Sequence, residues 1–202
     1  MSGTLSRADL RADLKASLHD ASAMLADPGD YDRCLEVAVE DLGRWLPRTL
    51  VSTLTLIADE SEYATPADFQ RFKMALWGKS STVQPWDKNY PGKLPRVHHA
   101  EDLLVMVPAP TAQQIAILGA NYRYYYFAGY SIDDSAALTT VPVSLRDLLI
   151  LRAQAECCKE LAMRNVGKPV QMRDGMNTVT RNGTPSHLYN QLMAEFLSRC
   201  GQ

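Results

Sequence analysis

From Val141 to Lys168 the chain reads VPVSLRDLLILRAQAECCKELAMRNVGK, and its apolar residues recur at helical spacing over more than one face. Leu148, Leu151, Ala155, Cys158, Ala162 and Val166 form one stripe and Ile150, Cys157 and Leu161 a second, with Gln154 and Asn165 between them. The spacing predicts one long helix, apolar over about half its circumference. Arg152, Glu156, Lys159 and Glu160 fall on the opposite face, and Glu160 with Arg164 has the favourable order for an ion pair one turn apart. Ser144 followed three residues later by Asp147 predicts a capping-box start, and Gly167 predicts the end. Such a wide arc requires several packing partners. The small residues Ala153, Ala155, Cys157, Cys158 and Ala162 let them approach closely.

The chain before this helix supplies some of those partners. Ser6 with Asp9 repeats the capping-box pattern, and Leu10, Leu14, Leu18, Ala21 and Leu25 predict a first helix over 6–26. The turn Asp27-Pro28-Gly29-Asp30 leads to a second amphipathic helix through Cys34, Leu35, Ala38, Val39, Leu42, Trp45 and Leu46, stopped by Pro47. So short a turn favours an antiparallel pair. From Arg48 the residues become β-branched and alternate, which predicts a strand; the polar run 58–62 turns it, and Phe72, Met74, Leu76 and Trp77 fit a returning strand. Residues 78–95 read as a long loop carrying Trp86 and Tyr90. Leu103–Val107 reads as a short apolar strand, and Thr111 with Gln114 starts a helical turn before Gly119. In ANYRYYYFAGY, Tyr122, Tyr124 and Tyr126 alternate with Arg123, Tyr125 and Phe127, so the strand is buried on one side and covered, or used as a contact surface, on the other.

After the long helix, a turn-rich stretch carries Lys168, Arg173 and Arg181. Thr184 then caps a last helix with Pro185 at its first position, edged by Leu188, Leu192 and Phe196 and by Tyr189, Met193 and Leu197. The expected fold class is α+β, mostly α: a bundle of about four helices, from 1–47 and 141–202, with a β-rich subdomain inserted at 48–140.

The 21 basic and 23 acidic residues give a formal net charge of −2, which carries no global polyanion-binding footprint. No apolar run of about 18 residues occurs, so neither a membrane span nor a signal peptide is expected. Four cysteines, at 34, 157, 158 and 200, lack metal-ligand spacing and read as reduced thiols in cytosol. Cys157 and Cys158, mid-helix among alanines and leucines, read as small core residues rather than a redox pair. His98 and His99 with Glu101 and Asp102 form the densest polar cluster, yet neighbouring strand residues point to opposite faces, so a solvated strand end is preferred to a metal site. No nucleophile, zinc-protease or phosphate-loop motif occurs, and neither catalysis nor a cofactor is expected. With only Arg123 interleaved, the tyrosine run reads as core or protein interface rather than as a base-stacking platform.

The order of elements and the stretch TLTLIADESEYATPADFQRFKMALW, with a strand, a polar turn, Tyr63, Pro66, Asp68 and Phe69 in sequence, resemble the head-to-tail connector, or adaptor, proteins of tailed bacteriophages. The likeness covers residues 6–199. It departs from the family's pattern in the turn, where Asp59 and Glu60 stand in place of glycine, and at Thr65, where leucine is common. The resemblance implies a virion structural protein without chemistry, made in the bacterial host cytoplasm and placed in the virion neck. It implies a homo-oligomeric ring, usually of twelve copies, between the portal protein and a tail or neck protein, with DNA passing through the channel without sequence-specific binding. On that reading Leu188, Tyr189, Leu192 and Phe196 contact the portal, Trp86 and Tyr90 face the next ring toward the tail, and Lys168, Arg173 and Arg181 contact DNA or neighbouring subunits. The competing readings are that these apolar residues fill their own domain, and that the basic ones sit in a merely soluble loop. In function, the rivals are a DNA-binding structural module and a small metal-dependent hydrolase.

Overall fold

Ser6 opens the first helix by accepting from Asp9 N–H while the Asp9 carboxylate accepts from Ser6 N–H, which satisfies two donors that a helix start leaves bare. The computed structural model describes residues 5–78, 83–166 and 184–201. Helix α1 (Arg7–Ser17) is shorter than the apolar spacing predicts, because a 3-10 segment, His19–Met24, takes over. His19 there has a φ of 48°, outside the right-handed helical region. The three-residue repeat of the 3-10 form suits Leu18 and Ala21, which both pack on the core. Helix α2 (Gly29–Trp45) follows and buries Tyr31, Cys34, Leu35, Ala38, Val39 and Leu42 along one stripe.

The chain divides into two units, residues 1–46 with 130–202, and residues 47–129. The first is helical. Beside α1 and α2 it holds α4 (Arg146–Arg164) and α5 (Pro185–Arg199), around a core that joins Leu10, Leu14, Leu35 and Leu42 to Leu149, Cys157, Leu161 and Phe196. Helix α4 starts later than the Ser144 signal suggests: Val143–Leu145 form a 3-10 turn, Leu145 occupies the cap position, and no side chain caps the helix. It buries residues nearly all round, from Leu148 to Leu161. Among them is Arg152, which the helical wheel assigned to the wet face and which is 4 % exposed. Asp41 of α2 accepts from its Nε at 2.8 Å and Glu156 accepts from Nη2 at 3.0 Å, while Nη1 has no hydrogen-bond partner. Thr184 caps α5 by accepting from His187 N–H, with Pro185 inside the first turn as the sequence predicts.

The second unit has two three-stranded antiparallel sheets. β1 (Arg48–Thr55) and β3 (Phe69–Ala75) flank β6 (Asn121–Ala128); β2 (Glu62–Ala64) and β4 (Arg96–Ala100) flank β5 (Leu103–Val107). Leu56, Tyr63, Trp77, Leu104, Met106 and the inward tyrosines of β6 make a core of their own, against which Ile115 and Leu118 of helix α3 (Ala112–Leu118) pack. Tyr122, Tyr124 and Tyr126 run down the inner face with ring centroids 6.1 and 5.9 Å apart, and Phe69 stacks on Tyr126 at 5.4 Å.

The architecture corrects the expectation of a mostly α fold built as a four-helix bundle. About 44 % of the described residues are helical and 20 % are strand, in a mixed α+β fold with two sheets. The reason is energetic: the middle of the chain buries enough aromatic surface to support a separate hydrophobic core, with a helix of its own.

Candidate docking surfaces

The loop that carries Trp86 and Tyr90 is fastened at its base by one amide. Gln114 is almost fully buried in the first turn of α3, where its Oε1 accepts from Thr111 N–H and completes that helix's capping box. Its Nε2 donates to the carbonyls of Pro91, at 3.0 Å, and Lys93, at 2.9 Å. Nearby, Gly78 has a φ of +72° and leaves room for Leu94: an added Cβ would lie 2.8 Å from Leu94 Cδ1 and 3.0 Å from Leu118 Cδ1. Trp77 turns inward and donates from Nε1 to the carbonyl of Gly119 at 2.9 Å. From this base the tight turns Gln84–Asp87 and Asp87–Tyr90 carry Trp86 out to 84 % exposure, with Tyr90 also exposed. A tryptophan held this far into water by an anchored loop is an unpartnered apolar surface.

In α5 the four residues expected to contact a partner separate by depth. Phe196 is 0 % exposed and Leu192 packs against the helical core, so these two fill their own unit. Tyr189 is half-buried and Leu188 is 42 % exposed. Arg199 lines the same cavity as Arg146 and Ile150, which sets the end of α5 beside the start of α4 and hence Leu188 toward the end of α4. Met163 and Val166, on the last turn of α4 and just beyond it, are exposed there. The wide apolar arc of α4 is otherwise consumed by this chain's own helices. Lys168, Arg173 and Arg181 lie outside the described residues.

The outer face of the first sheet follows from its register. Thr49, Val51 and Thr53 of β1 stand opposite Phe127, Tyr125 and Arg123 of β6, with Arg71 and Met74 of β3 on the other side of Phe127 and Tyr125. Arg71 and Lys73 lie over the Phe127 ring, 4.8 and 4.9 Å from its centroid, and Lys73 also donates to Thr49 Oγ1. The face carries three cations and no carboxylate, yet the Phe127 ring is already covered by two of them, which is unfavourable for base stacking there. On the inner face, burial pushes the Tyr122 hydroxyl up to about 12. Burial also raises Tyr126 to about 12, aided by its hydrogen bond to Asp68 Oδ1 at 2.9 Å.

His98 and His99 take opposite faces of β4, with His99 packed 4.8 Å from the Phe69 ring, and His98 opposite Val105. Among the described residues no group of three or more His, Cys, Asp or Glu could hold a metal ion. Cys34, Cys157 and Cys158 are buried free thiols, and Cys200 is half-buried. A hydrogen bond between Cys34 and Cys157 lowers the first thiol and raises the second. No helix among the described residues is long and apolar enough to cross a membrane.

The sequence signal for Gln114 was its place in the Thr111 capping box, which gave no hint of the two loop carbonyls it also holds. For Arg152 there was no signal beyond its acidic neighbour one turn on. No known family model matches this chain, and no curated protein matches it significantly.

Proposed function

We propose that this protein is an assembly subunit of the head-to-tail connector kind, closing with its own copies into a ring between a portal and a tail, through which DNA passes. The reading rests on the order of elements and on one structural observation that supports it. Large apolar side chains are exposed on both units: Met163, Val166 and Leu188 on the helical unit, Trp86, Val51 and Met74 on the strand unit. A ring subunit needs separate patches, because heterologous contact joins two different surfaces of each copy and axial neighbours need others. A near-neutral net charge is compatible with DNA sliding past rather than being gripped.

In this proposal Leu188 and Tyr189 contribute to the portal-side contact, and Trp86 with Tyr90 to the tail-side contact. Leu192 and Phe196 support α5 from within. Electron microscopy of the protein, alone and mixed with a portal, tests it: the expected result is a closed ring with an open centre, of about twelve copies if the resemblance to head-to-tail connectors extends to copy number. A particle that stays monomeric in both preparations overturns the reading.

A further inference from the structure

The two sheets of the strand unit stay open along one side. β3 ends the first sheet and β4 ends the second, so each presents a free row of backbone N–H and C=O groups. The two edges come together at the Phe69–His99 contact. Between them lies an apolar groove of about 290 Å³, lined by Phe72, Met74, Trp77, Leu94, Val97 and Tyr122. On the opposite side, the chain itself joins β1 to β2, and Tyr63 seals the turn by accepting from Ile57 N–H and donating to the Glu60 carbonyl, both at 3.1 Å. The edges of the groove are cationic. Arg71 and Lys73 of β3 lie on its outer side over Phe127, Arg96 and His98 belong to β4, and neither FQRFKMA nor RVHHA holds a carboxylate. Asp68, at the closed end, is engaged by Tyr126 and Arg48.

We propose that this groove docks an extended segment of a partner protein, in which apolar residues alternate with carboxylates, as an added strand between β3 and β4. A strand's two-residue period turns one set of side chains onto the Trp77 and Tyr122 floor and the other set outward to the cations. Its backbone pairs along the β4 edge, whose register against β5 is unbroken, whereas β3 shifts register twice against β6. A strand donated by a second copy fits poorly, since Glu62 is the single carboxylate in all six described strands. This inference stands apart from ring formation and is tested on the full chain whatever its oligomeric state.

The test uses the full chain with Trp45→Phe and Trp86→Phe, so that Trp77 alone reports. The probes are a short synthetic peptide alternating valine with glutamate, its lysine counterpart, and the glutamate peptide with methylated backbone nitrogens. The glutamate peptide is expected to shift Trp77 emission saturably and to slow amide exchange in β3 and β4. The lysine peptide, and the protein carrying Arg71→Glu with Arg96→Glu, are expected to bind at least about tenfold more weakly, as loss of charge complementarity at a rim requires. The methylated peptide is expected not to bind. Equal affinity for all three peptides, protection confined to other strands, or no saturable binding overturns the proposal. So does self-association that the peptide blocks, which makes a second copy the occupant, or displacement of the peptide by single-stranded DNA, which makes it a nucleic-acid groove.

Discussion

At the scale of single residues, the strand unit depends on positions whose role is spatial rather than chemical. Gly78 combines a left-handed backbone with a close approach to Leu94 and Leu118, so Gly78→Ala is expected to lose about 1–3 kcal/mol. Urea unfolding followed through Trp77 emission measures it. Tyr122 and Tyr126, both held near 12, make a second prediction. An unfolded tyrosine ionises near pH 10, so the native state keeps its proton where the unfolded chain loses it. The stability this gives is fully present below about pH 10 and is lost as pH rises through 12. Burial raises Tyr31 and Tyr124 as well, so titration by phenolate absorbance is expected to show a set of tyrosines ionising only with unfolding, and Tyr126→Phe is expected to remove one of them.

At the scale of elements, the pairing of α2 with α4 hangs on a buried cation between two carboxylates. Arg152→Ala is expected to destabilise the helical unit by about 2–3 kcal/mol, because Asp41 and Glu156 lose their shared buried partner and keep only the exposed Arg44 and Lys159. Adding Asp41→Asn and Glu156→Gln to Arg152→Met is expected to recover part of that loss in urea unfolding. For the loop base, Gln114→Ala strands two carbonyls and is expected to cost about 1–2 kcal/mol, with faster amide exchange across 83–95 while β5 and β6 stay protected. Sequence spacing made α1, α2, β1, β6 and α5 legible because each has a cap or a strict period: Ser6 with Asp9, alternation in β6, Thr184 with Pro185. It missed β2, where three residues are too few to show a period, and misjudged the start of α4, where a tight turn displaces the Ser144 cap. Arg152 was misassigned because a wheel places charge outward by default, and only the presence of Asp41 on another helix makes burial tolerable. The candidate surfaces were half legible: Trp86 and Leu188 are exposed, whereas the depth of Leu192 and Phe196 depends on how α5 lies on the core.

At the scale of the whole molecule, assembly and stability are expected to respond to different residues of the same helix. Leu188→Glu is expected to weaken ring formation or portal binding while leaving monomer unfolding within about 0.5 kcal/mol of the parent. Phe196→Ala is expected to cost about 3–5 kcal/mol and to lose assembly only as a result of unfolding. Sizing by light scattering beside urea unfolding separates the two. The division of the chain also bears on synthesis. The helical core is written in two portions, and Asp13 must await Arg146, so α1 and α2 emerge from the ribosome with no α4 or α5 to cover their greasy side. Residues 47–129, contiguous in sequence, can reach their final form while translation continues. The nascent chain is therefore expected to hold a finished strand unit beside an unfinished helical one, and to be most vulnerable to aggregation in the interval before residue 146 is made.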